Sequence, residues 1–196
     1  MEKGRLEAFS DGVLAIIITI MVLELRVPNG GDLAALKPLL PVFLSYVLSF
    51  IYIGIYWNNH HHLFQVVEEI NGRVLWANLH LLFWLSLVPF VTNWMGENGS
   101  SALPTALYGV VLLMAAFAYT LLVRTLLASH DKESTLAIAI GNDFKGNISL
   151  VLYILAVPLA FINEWISRVL FITVAIIWLI PDPRIERRLS KQKTKS

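Results

Sequence analysis

Apolar residues in this chain fall into long runs divided by short polar breaks, and the runs have the length of membrane spans. A bilayer core of about 30 Å needs around 20 apolar residues as helix. Four runs meet that length: residues 9–25, 41–62 (with a polar extension over 58–62), 74–95 and 102–128. The breaks carry turn chemistry: Pro28-Asn29-Gly30-Gly31, Asn71-Gly72, and Gly96-Glu97-Asn98-Gly99-Ser100-Ser101. A last apolar stretch, residues 148–180, is too long for one span, and Asn163-Glu164-Trp165 with Ser167-Arg168 interrupts it. It predicts a tight helical hairpin with halves at 148–162 and 166–180, each short enough to require tilt or local thinning of the bilayer. The predicted fold class is an all-α integral membrane protein with six transmembrane helices, a domain over residues 1–181 followed by a basic tail, 182–196.

Composition agrees. Of 196 residues, 57% are apolar and 15% charged, where a globular domain carries roughly 45–50% and about 25%. No polar stretch is long enough to build a soluble lobe. The absence of cysteine excludes disulfides, thiolate catalysis and thiolate metal sites. The N-terminal run follows Lys3 and Arg5 as a signal peptide would, but it ends in Leu23-Glu24-Leu25-Arg26 without a small-residue cleavage site, so it reads as a mature helix.

Charge sets the orientation. Arg184, Arg187, Arg188, Lys191, Lys193 and Lys195 make the tail basic, and beside a membrane span such a cluster reads as a cytoplasmic anchor rather than a nucleic-acid site. With six spans, Lys3, Arg5, Arg73, Arg124, Lys132, Lys145 and the tail share one side, and only Arg26, Lys37 and Arg168 lie on the other. Both termini are therefore expected in the cytoplasm. Phe9-Ser10-Asp11 occurs once and no repeat is visible, so any pore needs several subunits.

The first span sorts cleanly by angle at about 100° per residue. Phe9, Gly12, Thr19, Ile20, Leu23 and Val27 fall within roughly 60° of Ile16, whereas Asp11 lies nearly opposite and Ser10 well to the side. Ile16, Thr19, Ile20 and Leu23 form an i, i+3, i+4, i+7 seam whose one polar member is Thr19. Asp11, at the membrane boundary, demands a partner. Arg5 is near in sequence but on another helical face, so a partner on a second helix is expected. The end of span two offers Trp57, Asn58, Asn59, His60, His61 and His62 at matching depth. Three successive histidines cannot reach one metal ion, because helical neighbours diverge by about 100°. Trp57 with His61, and Asn58 with His62, share faces and read as hydrogen-bonding partners for Asp11 or Ser10. Asn78, His80 and Trp84 in span three read as interhelical hydrogen bonds.

Arg5-Leu6-Glu7-Ala8-Phe9-Ser10-Asp11 fits the R-x-x-x-F-S-D signature that opens helix one of transmembrane protein 175 channels. The six-span plan, the Trp57 to His62 cluster and Leu87-Val88-Pro89-Phe90 also resemble prokaryotic members of that family. The resemblance implies a potassium-permeable homotetramer with helix one of each subunit lining a central pore. By position it implies a constriction at Ile16, Ile20 and Leu23 with Thr19 on the same face, which the angular sort matches. It also implies a structural role for Arg5, Phe9, Ser10 and Asp11, tying helix one to its neighbours. No T-V-G-Y-G-like filter is present, so gating by dewetting and leak-like conduction with modest selectivity are expected. Glu24 could concentrate cations at the outer mouth. A proton- or ion-coupled secondary transporter is the alternative, motivated by Asp11 and the histidines, although broken helices and paired repeats are not evident. Neither reading needs a cofactor, a metal or a catalytic residue, so an enzyme is not expected. The expected partners are further copies of the chain, membrane lipid and permeant K⁺, not nucleic acid, and the expected location is a prokaryotic plasma membrane.

Overall fold

The structure, a computed structural model, describes residues 2–65, 67, 70–129 and 144–179. Every regular element among them is helical. α1 runs Lys3–Leu23, a 3₁₀ segment covers Leu33–Leu39, and α2 follows directly over Leu40–Gln65. α3 (Gly72–Ser86) and α4 (Val88–Glu97) form one kinked rod, and α5 covers Ala102–Ala128. α6 (Phe144–Leu159) and α7 (Glu164–Leu179) complete the bundle. Four rods are long and apolar enough to cross a membrane: α1, α2 with its 3₁₀ lead-in, α3 with α4, and α5. The described parts of α6 and α7, 16 residues each, rise about 24 Å. Lys132 and the tail at 182–196 lie outside the described residues.

Several boundaries differ from those expected, for local reasons. α1 starts six residues before Phe9 and stops at Leu23, so Leu25 and Val27 are not helical. Span three breaks at Leu87 because Pro89 has no N–H to return to the Leu85 carbonyl. The Leu87 N–H turns to Trp84 O at 3.3 Å, and Val91 restarts the ladder on Leu87 O at 3.2 Å. In the hairpin, Asn163 starts a helix instead of interrupting one. Its Oδ1 accepts the Trp165 N–H at 2.9 Å, as an N-cap asparagine does. Ser167 and Arg168 therefore sit inside α7, and the turn is residues 160–163.

Small residues and hydroxyls hold the rods together. A Cβ on Gly96 would lie 2.7 Å from Val42 Cα, and one on Gly109 would lie 2.9 Å from Phe171 Cζ. α4 thus meets α2, and α5 meets α7, at distances only glycine allows. Thr92 donates to Val88 O at 2.6 Å, which leaves its oxygen to accept from Ser49 at 2.7 Å. Ser49 in turn accepts from Tyr108 at 2.9 Å, so one directed chain crosses α5, α2 and α4. Tyr52 donates to Phe171 O at 2.6 Å, and Ser167 donates to Ala156 O at 2.6 Å across the hairpin.

The two ends of the bundle are marked by separate contacts. Arg26 pairs with Glu97 at 3.2 Å, and Arg168 donates to Gly99 O at 2.6 Å, bringing the α1 exit, the α4 exit and the α7 entry together. At the opposite end Lys3 reaches Gln65 O at 3.4 Å, and Asn71 donates to Ser129 Oγ at 2.8 Å.

Candidate functional site: the first helix and its anchors

α1 has two faces of different fate. Leu6, Ser10, Leu14, Ile17 and Met21 are buried against α2, α3 and α4. Their spacing of three and four residues is a single helical stripe. Centred roughly 130° around the helix from it lies the uncovered seam: Phe9, Ile16, Ile20 and Leu23 are 53%, 58%, 41% and 79% exposed, with Gly12 and Thr19 beside them. Thr19 spends its hydroxyl hydrogen on Ile16 O at 2.8 Å, leaving its oxygen lone pairs on the exposed side.

Two polar networks fix which way that seam points. The buried one crosses three helices. Ser10 donates to Leu6 O at 2.9 Å, so it must accept from Asn78, whose Nδ2 lies 2.9 Å away. The Asn78 Oδ1 then faces His60 Nε2 at 2.8 Å. An amide oxygen only accepts, which places the imidazole proton on Nε2. Ser10, Asn78 and His60 are each at most 2% exposed. The second network lies at the surface. Trp57 Nε1 donates to Asp11 Oδ1 at 3.1 Å, His61 stacks on Trp57 with centroids 5.9 Å apart, and Gln65 meets His61 Nε2 at 2.9 Å.

The structure therefore brings Ser10, Asp11, Trp57 and His61 together with α1, and leaves Arg5, Asn58 and His62 exposed without a side-chain hydrogen bond or ion pair among the described residues. Arg5 sits on the helical side of Phe9 and Ile16, turned away from Asp11, which explains why the two do not pair. His60 and Asn78, not His61 or His62, answer Ser10. That partnership was legible by extending the buried period of α2, in which His60 continues Ile53, Tyr56 and Phe64. His80 and Trp84 also differ from expectation, bonding to each other within α3 at 3.0 Å. Glu24 caps α1 and accepts from Asn93 of α4 at 3.4 Å while remaining exposed.

These features define an α-helical integral membrane protein whose first helix is anchored on one side and leaves an apolar seam open on the other. Comparison with known proteins places it more closely. The family model described as endosomal/lysosomal potassium channel TMEM175 matches residues 5–89, the segment that holds α1 from Arg5 onward, α2, α3 and both networks. A potassium channel of Chryseobacterium sp. (strain P1-3) is 56% identical over 191 residues, covering 97% of this chain and 100% of that one. A potassium channel of Chamaesiphon minutus is 32% identical over 182 residues, covering 85% and 88%. The crystal structure of a lysosomal potassium-selective channel TMEM175 homolog from Chamaesiphon minutus superposes with a TM-score of 0.80 at 30% identity, covering 91% of this chain and 96% of that one. The chain belongs to the TMEM175 family.

Proposed function

We propose that this chain is the subunit of a potassium-permeable cation channel that conducts passively along a pore lined by α1 from four copies. The observation that carries the reading is the open apolar seam of α1, set opposite a face locked by the Ser10, Asn78 and His60 chain. Its likeness to channels named for potassium supports the permeant ion. In this reading six crossings put both termini on one side, and the lysine and arginine bias makes that side the cytoplasm of a prokaryotic cell, with the protein in its plasma membrane.

In such an assembly Ile16, Ile20 and Leu23 contribute rings of apolar side chains to a neck that excludes water until it widens. Thr19 sets hydroxyl oxygens among them, which offer partial ligands to a cation losing water. Glu24, at the end of α1 opposite Lys3, raises the local cation concentration through its charge. The reading asks no residue to break or make a covalent bond.

The test is K⁺ flux into liposomes holding the purified protein, wild type beside Ile16→Asn. An amide in the neck stabilises water there, and flux is expected to rise on the order of tenfold. Flux unchanged by Ile16→Asn, or tied in fixed stoichiometry to a proton or counter-ion, would overturn the reading.

A further inference from the structure

Away from α1, at the end of the bundle that holds Lys3 and Gln65, the structure has a cavity of about 760 Å³ between the start of α3 and the end of α5. Asn71, Gly72, Arg73, Trp76, Arg124 and Ser129 line it, with Thr125 and Ala128. Arg73 and Arg124 converge from different helices, both are exposed, and neither has an ion pair or side-chain hydrogen bond among the described residues. No acidic residue is among the described residues that line the cavity.

Its walls are held in place. Asn71 accepts the Val74 N–H at 3.1 Å, donates to Ser129 Oγ at 2.8 Å, and Ser129 donates to Thr125 O at 2.9 Å, so the two helix ends are clamped across the cavity. Depth is set by position. Trp76 is four residues into α3 and Arg124 four before the end of α5, each about 6 Å from its helix end. For helices that cross a bilayer, a position so near the end falls at the headgroup level, where tryptophan concentrates and cationic side chains reach outward. Trp76 is 76% exposed and lines the recess with the two arginines.

We propose that this cavity binds the phosphodiester headgroup of an anionic phospholipid from the leaflet on the side of Lys3, with Arg73 and Arg124 on the phosphate oxygens and Trp76 against the glycerol and upper acyl chain. Charge complementarity favours an anionic over a zwitterionic headgroup, because an ammonium would meet two arginines and, among the described lining residues, no carboxylate. A guanidinium fork matches phosphate geometry, and basic recesses between membrane helices hold anionic headgroups elsewhere. The inference stands apart from conduction and would survive the loss of the channel reading.

The experiment uses the full chain, purified and delipidated in detergent, with phosphatidylglycerol and phosphatidylcholine as probes and native mass spectrometry as readout. Wild type is expected to retain phosphatidylglycerol over phosphatidylcholine by about tenfold, Arg73→Gln and Arg124→Gln each to lose several-fold of that preference, and the double variant to lose it. Arg73→Lys with Arg124→Lys should keep part of it, which separates charge from folding if the glutamine pair is unstable. Equal retention of the two lipids would overturn the proposal. So would a preference untouched by the double variant, which would assign it to other basic residues such as those of the tail. Displacement of phosphatidylglycerol by millimolar inorganic phosphate would make the cavity a site for soluble anions and overturn it as well.

Discussion

Asn78 is the residue on which α1, α2 and α3 depend together, because one amide serves Ser10 with its nitrogen and His60 with its oxygen. Hydrogen bonds inside membrane bundles average only about 0.6 kcal/mol by mutant cycles, yet removing this one amide strands two groups that are almost fully buried, at about 1–3 kcal/mol. Asn78→Leu should therefore lower the unfolding midpoint of the purified protein clearly more than Trp57→Phe, which removes one exposed bond to Asp11 worth about 1 kcal/mol or less. Equal shifts would show that the buried chain does not anchor α1. Thr19→Val isolates the opposite face. It keeps the shape and removes the hydroxyl oxygen, so stability should hold while K⁺ flux in liposomes falls about tenfold. Much at this scale was legible: Asp11 needed a partner across helices, and Trp57 lay at the right depth. The choice among His60, His61 and His62 was not read from composition, since adjacent identical residues differ only in angle. Only His60 lies on the buried stripe.

Helix length came from hydropathy, but helix ends came from single residues whose effect is stereochemical. Pro89 and Asn163 both sit within apolar runs. Pro89 divides α3 from α4 by the absence of one N–H, and Asn163 begins α7 by supplying one acceptor. Apolar patterning marks Asn163 as an interruption but not as a helix start, which is why the hairpin turn falls three residues earlier than the polar cluster suggests. Close approach is likewise invisible until rods are placed. Gly96 and Gly12 are both helical glycines, yet only Gly96 faces another backbone, while a Cβ on Gly12 would meet nothing within 4 Å of the subunit. Gly96→Ala should cost about 1–3 kcal/mol by forcing α4 from α2. Gly12→Ala should leave subunit stability unchanged or raise it by up to about 1 kcal/mol through helix propensity. Thermal unfolding of the two variants side by side decides the matter, and a destabilised Gly12→Ala would show that α1 is tightly covered in the assembled protein at that position.

For the whole molecule the question is what covers the open seam of α1, since lipid and other copies of the chain are both apolar enough to do so. Exposure alone does not distinguish them: Ile154 on α6 is 57% exposed and Leu23 on α1 is 79%. Symmetry does. Around a closed axis every copy of Leu23 meets its own equivalents, whereas a residue on the outside of the assembly meets only acyl chains. The natural absence of cysteine makes this testable without background. Leu23→Cys, oxidised in the membrane with a copper catalyst, should form covalent dimers on a denaturing gel, while Ile154→Cys treated identically should remain monomeric. A disulfide requires Cα atoms within about 7 Å, which thermal motion of adjacent helices at a narrow neck supplies and helices on opposite rims do not. Dimers from Ile154→Cys and none from Leu23→Cys would invert the arrangement, placing α6 at the axis and α1 in lipid. The networks that fix the orientation of α1 would then serve packing alone.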